Sequence, residues 1–170
     1  IDINSLSEEF PNLDSAKKKQ IIHLKNHQVL NSESSLTVIN FIIEEFNFQE
    51  FEKIVKTFLD NGSKFSGTSF HLVLQRIIDE DTISTSQKIE LLKDYLSIMI
   101  ENDILPSPHI LNQIVALFLS EEIEIEAVTQ FHDILRNNFL MNPVILDTFA
   151  VICIKKGIPK ESLEIIDSYE

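Results

Sequence analysis

The chain has 170 residues, 44% of them hydrophobic, enough for one domain with a continuous core. A formal charge of −13 is too acidic for a self-sufficient nucleic-acid binder on composition alone, and 3 glycines argue against turn-rich β folds and glycine-rich phosphate loops. With 1 cysteine there is neither a disulfide framework nor a thiolate zinc site, a reducing compartment is favoured, and no apolar run approaches the roughly 18 residues of a membrane span.

The first helix signal is "DSAKKKQIIHLKNH", read as a leading helix within about 1–32. Lys17, Lys18 and Lys19 form the only basic cluster, read as a solvated face. His23 and His27 stand at i and i+4, a metal-ligand spacing, but no Glu follows His23 and no third ligand is evident, so no metal site is expected.

A recurring pattern follows. "ESSLTVINFII" sets Leu36, Ile39, Asn40 and Ile43 on one helical face; "GTSFHLVLQRII" sets Phe70, Val73, Leu74 and Ile77. "PHILNQIVALFL" gives Leu111, Ile114, Val115 and Phe118, with Ser107 able to cap and Pro108 in the first turn; "PVILDTFAVICIKK" gives Leu146, Phe149, Ala150 and Cys153. Each is followed by an amphipathic partner: "FQEFEKIVKTFL", "SQKIELLKDYLSIM", "IEIEAVTQFHDIL" and "KESLEIIDSY". Gly62, Asp103 and Asn138 fall where the second helices end, and are residue types that accept the left-handed conformation closing a helix. The period is roughly 35 residues, and the longer middle unit takes its extra length in the capping-rich "DEDTISTS".

Paired helices at this period predict an all-α fold, a right-handed α-solenoid of stacked helical hairpins. Residues 1–170 are read as a single helical-repeat domain with units 33–66, 67–107, 108–142 and 143–170. The chain begins without Met and ends within an apolar-periodic stretch, and is expected to belong to a longer protein. The acidic "EEIEIE" run suits a helix N-terminus, Cys153 suits core packing, and no catalytic motif is found, so neither enzymatic activity nor a cofactor is expected.

"ILPSPHILNQIVALFL" resembles the pentatricopeptide repeat in Pro106, Ser107, Leu111, Asn112, Ile114 and Val115. Ala127, Val128, Phe131 and Ile134 match its second helix. The tetratricopeptide signature, which needs a Trp, has none here. The resemblance covers about 33–170, and its divergence is similar to that of fungal mitochondrial members. It implies single-stranded RNA read on the first helices, by the fifth residue of a repeat with the last. Carried over, the pairs are Asn112 with Asn142, His71 with Ser107, and Thr37 with Ser66, while Asp147 opens a further pair. Asn112 with Asn142 implies a pyrimidine. The family's apolar second place is kept by Val144, whereas Ser34, Thr68 and His109 are polar. The resemblance further implies a mitochondrial-matrix factor of transcript stability, processing or translation activation.

Charge leaves a second reading open. Each full unit is net negative, the acids crowd the second helices, and "PHILNQIVALFLS" has no charged side chain. No basic stripe awaits phosphates, so a scaffold that binds a protein partner in its groove is the alternative.

Overall fold

The computed structural model describes residues 29–158. Among these there are seven α-helices and no strand: α1 (Ser32–Glu45), α2 (Phe48–Asp60), α3 (Gly67–Ile78), α4 (Thr85–Glu101), α5 (Pro108–Leu117), α6 (Ile125–Asn137) and α7 (Pro143–Lys156). The all-α expectation is met over this range. The leading helix, with Lys17–Lys19, His23 and His27, and the second helix "KESLEIIDSY" lie outside the described residues. The chain divides between Val73 and Leu74, inside α3, into two compact units, each taken here by itself.

The helices start where a side-chain oxygen can take an orphan N–H of the first turn. Asn31 caps α1 in a reciprocal box with Ser34, Asn47 caps α2, and Ser84 caps α4 in a box with Gln87. Ser107 and Asn142 cap α5 and α7, each followed by Pro at the first helical position, where no N–H is missed. Ser66 does the same for α3, its Oγ accepting from Ser69 N at 3.1 Å.

The endings recur as well. Gly62, Asp103, Phe139 and Gly157 have φ of 84°, 57°, 58° and 63°. The residue after each donates its N–H five residues back, to Phe58, Met99, Leu135 and Cys153. This closes α2, α4, α6 and α7 with the same Schellman turn. Gly62 and Asp103 are as expected. Asn138 is not the left-handed residue: its φ is −105°, and Phe139 takes that role one position later.

The buried faces confirm two of the four stripes outright. Phe70, Val73, Leu74 and Ile77 are buried, as are Leu111, Ile114, Val115 and Phe118. In α1 the core face is Ser35, Val38, Ile39 and Ile42, so Asn40 is exposed and Leu36 and Ile43 are only half-buried. The reason lies in the cap. Asn31 starts α1 one residue ahead of the expected unit boundary, and counted from the caps these four hold the same places as those of α3 and α5. In α7 the buried set is Ile145, Phe149, Ile152 and Cys153, with Leu146 and Ala150 half-buried.

In the first unit, which runs to Val73, α1 packs on α2. A chain of buried hydroxyls fastens α1 to the head of α3. Ser35 Oγ and Ser69 Oγ are 2.8 Å apart, and Ser69 Oγ lies 2.9 Å from Ser66 Oγ. Each hydroxyl has one proton, and Ser35 donates its own to Ser32 O at 3.0 Å. Ser69 therefore donates to Ser35, and Ser66 to Ser69.

In the second unit, α4 packs on α5 and α5 on α7. Phe118 stacks on Phe131 with centroids 4.8 Å apart, joining α5 to α6, and His132 meets Phe149 edge-on at 5.1 Å, joining α6 to α7. Burying each such ring contributes about 1.5–3 kcal/mol. The buried Glu80 organises the long 79–84 connection: it accepts from Thr82 Oγ1 at 2.5 Å and Thr82 N at 3.3 Å, and pairs with Arg76. The Thr82 hydroxyl, helped by Arg76, holds its carboxyl below the usual range against the opposing effect of burial.

Candidate nucleic-acid interface

In the second unit α5 and α7 pack directly on one another. Lys156, at the end of α7, donates to Ser120 O at 2.8 Å and Ile123 O at 2.7 Å, just past the end of α5. The C-terminal ends of the two packed helices are therefore together. Their N-terminal ends, headed by Ser107 and Asn142, lie together at the other end of the pair.

At that end the candidate residues are held by local capping. Asn142 Oδ1 accepts from Ile145 N at 2.9 Å, and Ser107 Oγ from Ile110 N at 3.2 Å. The Asn142 bond uses its oxygen, so the Nδ2 donors are not engaged in the cap. Val144, at the second place of its unit, is 55% exposed, and Asp147 is exposed a turn into α7. Asn112 is half-buried, and its Oδ1 is shut off from solvent and accepts no hydrogen bond.

The other pairs differ. Ser66 N donates to Ser35 Oγ at 3.2 Å, which sets Ser35 beside Ser66. Thr37, two residues further on, stands roughly 200° around α1 from Ser35 and is exposed. His71 is half-buried in the first unit, and burial lowers its pKa; Ser107 belongs to the second. Burial raises the pKa of the Cys153 thiol, as suits a packing residue.

A polar ladder that the sequence reading missed joins the C-terminal half of α3 to α5. Gln75 Nε2 donates to Gln113 Oε1 at 3.0 Å, and Gln113 Nε2 returns a bond to Gln75 Oε1 at 3.2 Å. Gln75 also donates to Asp79 at 3.0 Å, and Gln113 Nε2 lies 2.9 Å from His109 Nε2. An amide nitrogen only donates, so His109 Nε2 accepts. The signal in sequence was Gln at half-buried places on two neighbouring first helices, but nothing in the period pairs them: Gln75 and Gln113 hold different places in their units.

Among the described residues no cluster of His, Cys, Asp or Glu is placed to hold a metal, and no helix is long and apolar enough to cross a membrane. Between Lys93 and Lys155 the sequence has a single Lys or Arg, Arg136, in the last turn of α6. Compared with protein-family models, curated proteins and solved structures, the chain matches none.

Proposed function

We propose that the chain is a pentatricopeptide-like segment of a mitochondrial RNA-metabolism factor, with its hairpins stacked as a right-handed α-solenoid. Single-stranded RNA lies along the first helices, and the factor works in the matrix on transcript processing, stability or translation activation. One observation carries the reading. Successive first helices α5 and α7 run side by side in the same direction, and Asn142 heads α7 with its oxygen tied to Ile145 N and its Nδ2 donors free of that tie. An anchored amide donor suits the carbonyl on the edge of a pyrimidine. The charge of −13, with a single Lys or Arg in the sequence between Lys93 and Lys155, implies weak affinity and a shallow salt dependence.

Asn142→Ser tests the reading, because Ser keeps the cap and removes the amide. Titrated with short oligouridylate and oligoadenylate at low salt, the wild-type chain is expected to prefer the pyrimidine. The variant should lose about fivefold in affinity for it, the equivalent of one hydrogen bond of about 1 kcal/mol. Equal binding by both proteins shifts the case to the second reading, a protein-binding scaffold. The specific observation favouring that reading is Asn112, whose carbonyl oxygen is turned inside rather than offered to a base.

A further inference from the structure

We propose that Phe139 is a stacking platform for a nucleobase beside the Asn142 amide; this rests on the RNA reading above. Phe139 is 95% exposed, the most exposed of the large hydrophobic side chains among the described residues, and its φ is 58°. Both features are unfavourable. A bulky residue in the left-handed region is an outlier, and a whole aromatic ring stays in water. The turn itself does not ask for an aromatic: the same Schellman position is filled by Gly62, Asp103 and Gly157. An outlier that the fold does not require points to function.

The surroundings say what the ring would meet. Three residues of extended chain span at most about 10 Å, so the ring lies within reach of whatever Asn142 holds. Val144, two residues after Asn142 and exposed, is an aliphatic side chain near the same cap. Arg136, exposed one turn before Phe139, is the one cation that the sequence supplies between Lys93 and Lys155. A π-face, an amide edge and a guanidinium match the three parts of a nucleotide: the flat base, its polar edge and its phosphate. A purely apolar protein anchor would offer no polar edge to the Asn142 amide.

The chain has no Trp, so Phe139→Trp introduces a sole tryptophan fluorophore at the site. On titration with oligouridylate at low salt its emission should be quenched saturably, as stacking on a base requires. Phe139→Leu, still apolar but without a π-face, should weaken oligouridylate binding about fivefold or more, and Phe139→Tyr should retain it. If Phe139→Leu binds like wild type while Asn142→Ser is weakened, the stacking proposal is overturned and the RNA reading stands. If wild type binds neither oligouridylate nor oligoadenylate, both fall. A tryptophan that responds to a basic peptide such as oligolysine and not to RNA also overturns the proposal, in favour of a protein-binding surface.

Discussion

Ser35 and Ser69, both wholly buried, face each other across α1 and α3 at 2.8 Å. Each occupies a place that an apolar residue would fill without needing a partner. The pair is therefore tolerated because the hydroxyls satisfy one another, along a directed chain from Ser66 to Ser32 O.

This gives a double-mutant cycle. Ser35→Ala and Ser69→Ala each strip a buried partner and should destabilise by about 1–3 kcal/mol in urea unfolding. Losing both should cost clearly less than the sum, because the second change no longer orphans a hydroxyl. Strict additivity would mean that the two hydroxyls do not interact energetically.

Phe139→Gly should raise the melting temperature. The left-handed conformation costs a residue with Cβ about 1–2 kcal/mol, and the greater freedom of an unfolded glycine gives back part of the gain, leaving a stabilisation of up to about 1 kcal/mol. Gly62→Ala should do the opposite: nothing lies within 4 Å of the added Cβ, so the loss is purely one of backbone conformation at φ 84°. Calorimetry on the two variants checks both signs, and a melting temperature lowered by Phe139→Gly would refute the strain argument.

Asn142→Ala removes the cap of α7 and should cost about 1 kcal/mol, while Asn142→Ser should stay close to wild type. Chemical denaturation of both distinguishes capping from reading. If the Ala variant is as stable as wild type, the 2.9 Å bond to Ile145 N contributes nothing to the fold.

Acid should weaken the protein through His132. Its Nε2 is buried without a hydrogen-bond partner. Burial lowers its pKa, with Asp133 opposing and Arg136 adding to the effect. The unfolded imidazole takes its proton near pH 6.5 while the folded one stays neutral to a lower pH. The unfolded state thus binds more protons in that window, and stability falls as pH drops below about 6.5. His71, shifted the same way, adds to the trend. Urea midpoints between about pH 7 and pH 5 should fall less for His132→Gln than for wild type; parallel curves would absolve His132.

Helices and most of the core could be read from the sequence because apolar spacing and Ser/Asn–Pro junctions act locally. The stripe of α1 was misplaced by one residue because Ser35 looks polar, and only its partner Ser69, on another helix, makes it a core residue. Phe139 was passed over for Asn138 because propensity favours Asn, whereas the geometry of the turn decides which residue takes positive φ. Ser66 and Asn142 were assigned to base reading by resemblance alone, and their capping bonds emerge only once the start of each helix is fixed, whereas the cap at Ser107 was already legible beside Pro108. The Gln75–Gln113 exchange is a contact between elements, and no single-chain periodicity encodes it.

That exchange also has a mechanical side. Two reciprocal amide bonds of 3.0 and 3.2 Å tie the Gln75 and Gln113 side chains to each other. Sliding Gln113 past Gln75 by a full helical turn, about 5.4 Å, would break both together. The pair therefore acts as a detent. It leaves the side chains around it to move as they will, but it opposes slippage of Gln113 past Gln75 by a turn, so the register at this point of the second unit is set by a two-pronged catch.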